Sequence, residues 1–283
     1  MRHLFGIILA VSSTAAFAFP LTPARSLAPQ TIDFMSTSYD FEGIVQLSNC
    51  SGSLVRFEQT PSSAKAMIMT NGHCLADGLM DPETFVSNVP TSRQFSLLSK
   101  DGQRRIGTVT SKKIIYATMT GTDFALYELE QTYQQIEDSF SVTPLTMAAD
   151  HPAAGISIEI LSGYWKRGYG CGLDGFVPEL REAGYTFTDS IRYEVNGGCK
   201  TIHGTSGSPI LQAGTRTVVG INNTGNDDGE KCTMNNPCEV DASDRVFAEK
   251  GRSYGQQTHQ VYSCVNVQGQ LDLAVQGCEL FKN

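Results

Sequence analysis

From Gly43 onward, apolar or β-branched runs of strand length recur between turn signals, and this spacing limits the possible folds more than any other feature of the chain. The runs are Ile44 to Leu47, Ser53 to Phe57, Ala66 to Thr70, Phe95 to Leu98, Ile106 to Tyr116 and Phe124 to Leu129. A second set follows at Ile156 to Leu161, Ile191 to Val195, Pro209 to Leu211, Thr217 to Asn222 and Val261 to Val265. Short runs at such intervals predict an all-β sandwich or barrel. Only Gln131 to Phe140 and Gln268 to Phe281 show helical periodicity, the second predicting a short C-terminal helix. Asp138 to Gly155, with Pro144, Pro152 and Gly155, suits a crossover between two halves, residues 41–140 and 141–283.

The chain opens with Arg2, an apolar run from Leu4 to Ala10 and the small-residue site Ala16-Phe17-Ala18, the pattern of a secretory signal peptide over residues 1–18. Residues 19–40, interrupted by Pro20, Pro23 and Pro29, read as an N-terminal arm or propeptide, with Arg25 a possible processing point. No later apolar run approaches the roughly 20 residues needed to span a bilayer. An exported chain, extracellular or periplasmic, is expected. The formal charge is −8. That disfavours nucleic acid or an anionic membrane as a partner.

Eight cysteines lie beyond the leader, and an oxidising destination makes disulfides the first reading. None shows C-x2-C spacing, and the chain has five histidines. No structural metal site is expected.

Four motifs carry chemistry, in the order Cys50-Ser51-Gly52-Ser53-Leu54, Thr70-Asn71-Gly72-His73-Cys74, Thr122-Asp123-Phe124-Ala125-Leu126 and Gly204-Thr205-Ser206-Gly207-Ser208-Pro209. A serine hydroxyl is a poor nucleophile at neutral pH. It needs a base within hydrogen-bond reach, a third group to hold that base in the right tautomer, and N–H donors where an oxyanion forms. Ser206 stands in a Gly-flanked turn whose Gly204 and Ser206 N–H groups suit the oxyanion role. Singly, each motif has an ordinary alternative: a loop glycine turn, a core histidine, a turn aspartate. Jointly they describe a serine hydrolase.

The set resembles the chymotrypsin-like serine peptidases, whose pattern runs Cys-Gly-Gly-Ser-Leu, Ala-Ala-His-Cys, Asp-Ile-Ala-Leu and Gly-Asp-Ser-Gly-Gly-Pro. The resemblance covers residues 43 to about 225 and returns at Gln260-Val261-Tyr262-Ser263, which looks like the family's last strand. It implies two packed antiparallel six-stranded β-barrels with a cleft between them. His73 is then the general base, Asp123 its orienter and Ser206 the nucleophile of an endopeptidase acting on proteins or peptides, as a monomer, without a metal or organic cofactor. It also implies a Cys50–Cys74 bridge, contributing roughly 3 kcal/mol in the chain-entropy model. Cys199–Cys232 would match a family bridge under the pocket, with Cys171–Cys199 and Cys232–Cys238 the alternative; Cys264–Cys278 is a local pair.

The chain departs from the pattern in three places. Thr205 replaces the Asp that receives a newly cut N-terminus in zymogen-activated relatives, and no Ile-Val-Gly-Gly segment precedes Cys50 at the proper distance. Ser208 and Thr201 look closer to the bacterial glutamyl-endopeptidase branch, yet Asn222-Asn223-Thr224-Gly225 stands where that branch carries its glutamate-binding histidine. A long loop at 226–259 holds Asn226-Asp227-Asp228-Gly229-Glu230, Cys232 and Cys238, and should form a lip beside the pocket. Its acids suit a basic side chain, a calcium ion or simply a solvated turn.

Counting back from Ser206 places the pocket floor near Lys200 and Thr201, with His203 at the entrance or in an exposed loop. Lys200 at the floor would select acidic side chains; a dominant acidic loop would select basic ones. Asn49 and Asn222 meet the glycosylation pattern but fall on expected buried strands.

Two other readings compete. A Gly-x-Ser-x-Gly elbow of the esterase type requires Asp and His after the serine, whereas His73 and Asp123 precede Ser206 and position 208 is Ser. A catalytically silent peptidase homologue, acting as a secreted binding or adhesion module, would keep the fold without reacting at Ser206.

Overall fold

A computed structural model describes residues 38–282. The leader and most of the arm inferred from the sequence, with Arg25, therefore lie outside the described residues. The first strands are β1 (Ile44–Gln46), β2 (Ser51–Arg56), β3 (Lys65–Thr70), β4 (Phe85–Pro90), β5 (Gln94–Leu98), β6 (Arg105–Thr118) and β7 (Phe124–Thr132). Their pairing order β1-β5-β6-β7-β3-β2 closes through β1–β2 into a six-stranded antiparallel barrel, with β4 an additional strand on β6.

Helix α1 (Tyr133–Phe140) and the short β8 (Leu145–Met147) then cross to the second half. A capping box starts α1: Thr132 Oγ1 accepts the Gln135 N–H, and Gln135 Oε1 accepts the Thr132 N–H. Ser141, in the left-handed region at φ 54°, ends it. β8 pairs in parallel with β2 on one side and with β13 (Thr217–Gly225) on the other, stitching the two halves into one sheet.

The second half contains β9 (Ser157–Ser162), β10 (Arg167–Glu182), β11 (Tyr185–Tyr193), β12 (Pro209–Gln212), β13, β14 (Cys238–Val240), β15 (Val246–Phe247) and β16 (Ser253–Gln257). The order β13-β12-β9-β10-β11-β16, closed by β13–β16, is the second six-stranded barrel. Closure leaves neither barrel with an open edge. Ile68, Leu54, Phe95 and Tyr127 fill the first interior, and Ile160, Ile191, Tyr193 and Ile210 the second. A third cluster joins the halves: Met69, Phe124 and Leu126 meet Leu161, Val218 and Ile221. Burial of a large apolar side chain contributes about 1.5–3 kcal/mol, so this seam holds the barrels together.

Three expectations about strands and helices need correction. Val261 to Val265 is not a strand: His259–Cys264 forms a 3-10 turn, and the closing strand is β16, some residues earlier. Val261 and Cys264 instead pack into the seam, where the Tyr262 hydroxyl donates to the Met147 carbonyl at 2.6 Å. Residues 268–281 make turns rather than a helix, pinned by Cys264–Cys278 and by Tyr116, whose hydroxyl reaches the Phe281 carbonyl. Asn49 lies exposed in the turn between β1 and β2, whereas Asn222 is buried in β13.

The disulfides are Cys50–Cys74, Cys171–Cys199, Cys232–Cys238 and Cys264–Cys278. Cys199–Cys232 does not form. Cys199 is drawn to β10 by Cys171, and Cys232 closes its own short loop with Cys238.

Candidate active site

His73 follows β3, in a 3-10 turn over Gly72–Cys74 that Cys50 tethers through Cys74. Asp123 stands at the entry to β7, 1% exposed. Because β3 and β7 are paired neighbours, their ends bring the two side chains together. Asp123 Oδ2 lies 2.6 Å from His73 Nδ1, and Oδ1 accepts the His73 backbone N–H at 3.1 Å. The buried Asn71 amide donates to the Asp123 carbonyl at 2.7 Å and holds the turn against β7. A carboxylate on Nδ1 keeps the proton there and leaves Nε2 as the acceptor.

Burial opposes a charged His73 ring. The Asp123 carboxylate, by its charge and its hydrogen bond, and Glu182 by its charge, outweigh burial and hold the imidazole above the usual histidine range.

Ser206 sits in the turn before β12, on the second barrel, and its backbone is tied to both halves. Its carbonyl accepts the Ser51 N–H at 2.8 Å, and the Gly207 N–H donates to the Asn222 carbonyl at 3.0 Å. Gly207 has φ +81°, and a Cβ there would come 2.2 Å from the Ser51 carbonyl oxygen. Only glycine allows β2 to approach this closely. The Ser206 hydroxyl donates to the Asn223 carbonyl at 3.1 Å, and no hydrogen bond joins it to His73. A serine hydroxyl is free to turn about χ1 between staggered wells. Catalytic hydrogen bonds commonly tighten only once substrate is bound.

The cavity between the barrels is lined by His73, Asp123 and Ser206 together with Thr201, His203, Asn222, Asn223, Thr224 and Gly225. Lys200, expected at the pocket floor, is not among the lining residues. Its neighbour Cys199 is buried in the bridge to Cys171, which turns Lys200 outward to solvent. Gly204 flanks Ser206 without lining the cavity. The 226–259 segment does supply a wall, through Asp227, Met234 and Asn235. His203 Nε2 pairs with Asp227 Oδ2 at 2.9 Å, both side chains exposed. Asn226 organises the start of this loop, donating to the Glu230 and Pro237 carbonyls and accepting the Gly229 N–H.

The sequence reading missed a further wall. Glu182, Tyr185 and Phe187 come from the β10–β11 hairpin, which leans across to the first barrel through a Gly121–Phe187 bridge and a Tyr185 hydroxyl bond to the Met80 carbonyl. Glu182 Oε1 accepts the Asn235 N–H at 2.7 Å. Burial pushes its carboxyl above the usual range, against hydrogen bonds from Thr224 and Asn235 and the charge of His73. The alternation in Tyr185-Thr186-Phe187-Thr188 was the available signal for this hairpin.

Among the described residues, the grouping with metal-ligand geometry is Cys50, His73 and Cys74. Both sulfurs are committed to the disulfide, so neither offers a thiolate. No helix among the described residues is long and apolar enough to cross a membrane.

The family model of the trypsin-like peptidase domain matches residues 50–221. No curated protein matches the chain in sequence. Among solved structures, the protease domain of MamO from Magnetospirillum magneticum is similar at TM-score 0.48 and 11% identity, covering 80% of this chain and 97% of its own. The Nocardiopsis protease NAPase is similar at TM-score 0.43 and 12% identity, covering 78% and 92%. A Glu endopeptidase gives TM-score 0.43 and 14% identity, covering 77% and 85%.

Proposed function

Since this chain belongs to the trypsin-like peptidase domain family, we propose that it is an exported serine endopeptidase acting through an acyl-enzyme on Ser206. The observation that carries the reading is the double hold of Asp123 on His73, at 2.6 and 3.1 Å, in the cavity that Ser206 also lines. In the proposed reaction His73 Nε2 takes the Ser206 proton as Oγ attacks the substrate carbonyl carbon. The oxygen becomes an oxyanion facing the Gly204 and Ser206 N–H groups. Collapse breaks the C–N bond, and His73 returns the proton to the leaving amine. Water, deprotonated by the same imidazole, then hydrolyses the ester and restores Ser206.

Four disulfides support export to an oxidising compartment. Among the described residues, the cavity lining includes three acids, Asp123 paired with His73, Asp227 paired with His203, and Glu182, and no lysine or arginine. That balance supports neutral or cationic substrate side chains over glutamate.

The test is fluorophosphonate labelling together with mass-spectrometric mapping of cleavage in a mixed peptide library, with Ser206→Ala as control. Labelling and cleavage by the wild type alone are expected. A folded, disulfide-intact wild type that neither labels nor cleaves would establish the silent binding homologue instead.

A further inference from the structure

Four consecutive carbonyls around the Ser206 turn are each held by a specific donor. The His203 carbonyl accepts the Trp165 indole Nε1–H at 2.6 Å, and the Gly204 carbonyl accepts the Ser51 hydroxyl at 3.0 Å. The Thr205 carbonyl accepts the Ser208 N–H at 3.0 Å, and the Ser206 carbonyl accepts the Ser51 N–H at 2.8 Å. Among the described residues, the Gly204 and Ser206 N–H groups donate to no backbone acceptor.

A trans peptide points its N–H opposite its carbonyl, and the described chain has no cis peptide. Whatever holds the His203 carbonyl therefore sets the direction of the Gly204 N–H, and whatever holds the Thr205 carbonyl sets that of Ser206. The two donors are secured unequally. Ser206 relies on a tight backbone turn, whereas Gly204 relies on one side chain. Gly204 has φ +87°, where a glycine-flanked peptide reorients readily.

Resting on the reading of Ser206 as nucleophile, we infer that Trp165 is a positioning residue: its indole N–H locks the His203–Gly204 peptide so that the Gly204 N–H stays turned toward the developing oxyanion. Trp165 lies in the β9–β10 turn and is 49% exposed. Its own backbone N–H donates to Ser162 Oγ at 3.2 Å, and Ser162 Oγ meets Ser51 Oγ at 3.0 Å. The Tyr164 ring braces the indole edge to face at 5.0 Å. A Cβ on Gly204 would lie 2.8 Å from Tyr164 Cδ1 and 3.0 Å from Trp165 Nε1, so both rings pack directly against this peptide. Ser51 and Trp165 thus form one connected scaffold beneath the turn.

Trp165→Phe keeps an aromatic ring and removes the donor. The measurement compares kcat and KM on a peptide amide cleaved by the wild type, and affinity for the matching peptide aldehyde, whose adduct carries an oxyanion. Outright loss of an oxyanion donor costs about 10²–10³ in kcat. Loosening one donor should lower kcat about tenfold or more, weaken the aldehyde in parallel and leave KM within about twofold. Unchanged kcat in folded Trp165→Phe, or a change confined to KM, overturns the proposal.

A second readout needs no activity. Trp165 is the single tryptophan of the chain, so its indole N–H gives one resonance. Slow solvent exchange of that proton, despite the exposed ring, is expected; rapid exchange would overturn the lock. If the wild type fails to label or cleave while the indole proton is protected, the nucleophile reading fails and the lock stands.

Discussion

Asp123 grips His73 at two points, its Oδ2 2.6 Å from ring Nδ1 and its Oδ1 3.1 Å from the backbone N–H of the same residue. Ring and main chain are thereby fixed by one buried carboxylate. The imidazole has neither a free tautomer nor a free orientation, which is what the general-base role proposed for His73 requires before substrate arrives.

Asp123→Asn should therefore preserve the fold and remove the function. The amide keeps the shape but permits the wrong histidine tautomer, and kcat should fall by about 10⁴-fold. Thermal melting alongside turnover on a peptide amide checks this. A variant with wild-type kcat would show that Asp123 does not orient His73.

The acid limb of the pH–activity profile should lie above the ordinary histidine pKa of about 6.5. Burial of His73 works against protonation, but the charge and hydrogen bond of Asp123 and the charge of Glu182 outweigh it. The ring therefore stays cationic, and unable to accept the serine proton, to a higher pH than a free histidine. A profile of kcat/KM between pH 5 and 9 locates the limb. Glu182→Gln should move it downward, since one of the groups favouring the cation is gone.

Glu182 also makes stability depend on pH. Burial holds its folded carboxyl above the value near 4.3 expected in the unfolded chain. The folded state thus binds this proton more tightly. The contribution is fully stabilising below the unfolded value and is lost as pH rises through the folded one. Glu182→Gln cannot ionise, so its stability relative to wild type should increase from pH 4 to pH 8. Urea denaturation at both pH values checks this, and a difference that does not vary with pH would contradict it.

Gly207→Ala should be severely destabilising. The left-handed φ costs an L-residue about 1–2 kcal/mol, and overpacking adds about 1–3 kcal/mol. The new Cβ would meet the Ser51 carbonyl at 2.2 Å and Thr70 Oγ1 at 2.3 Å, both part of the frame around Ser206. Denaturant unfolding with the disulfides intact should show a loss of about 2–5 kcal/mol. A loss below about 1 kcal/mol would mean that β2 can retreat from the turn.

Local chemistry singled out His73, Asp123 and Ser206 as a candidate set, because each lies in a short motif, and the structure brings the three to one cavity. The strands of the first barrel were legible for a similar reason: Lys65–Thr70 and Phe124–Thr132 are rich in apolar and β-branched residues. β10 was not. Its Gly168, Gly170, Gly172, Gly175 and Pro178 resemble a loop, yet Gly168 lies under the Tyr39 ring and Gly172 under the Glu194 carboxylate. β16 was hidden likewise, since Gly255 is required by the crowding of Ile210 and the Tyr193 hydroxyl inside a narrow barrel.

By itself, then, the sequence determined the all-β class, the order of the chemical motifs and the eight oxidisable cysteines, all of which are expressed in adjacent residues. Only the tertiary structure decided how Cys171, Cys199, Cys232 and Cys238 pair, that Lys200 turns away from the cavity while Glu182 faces it, and that Trp165 meets the carbonyl of His203. Each of these joins segments remote along the chain, where barrel closure rather than local preference sets the distance.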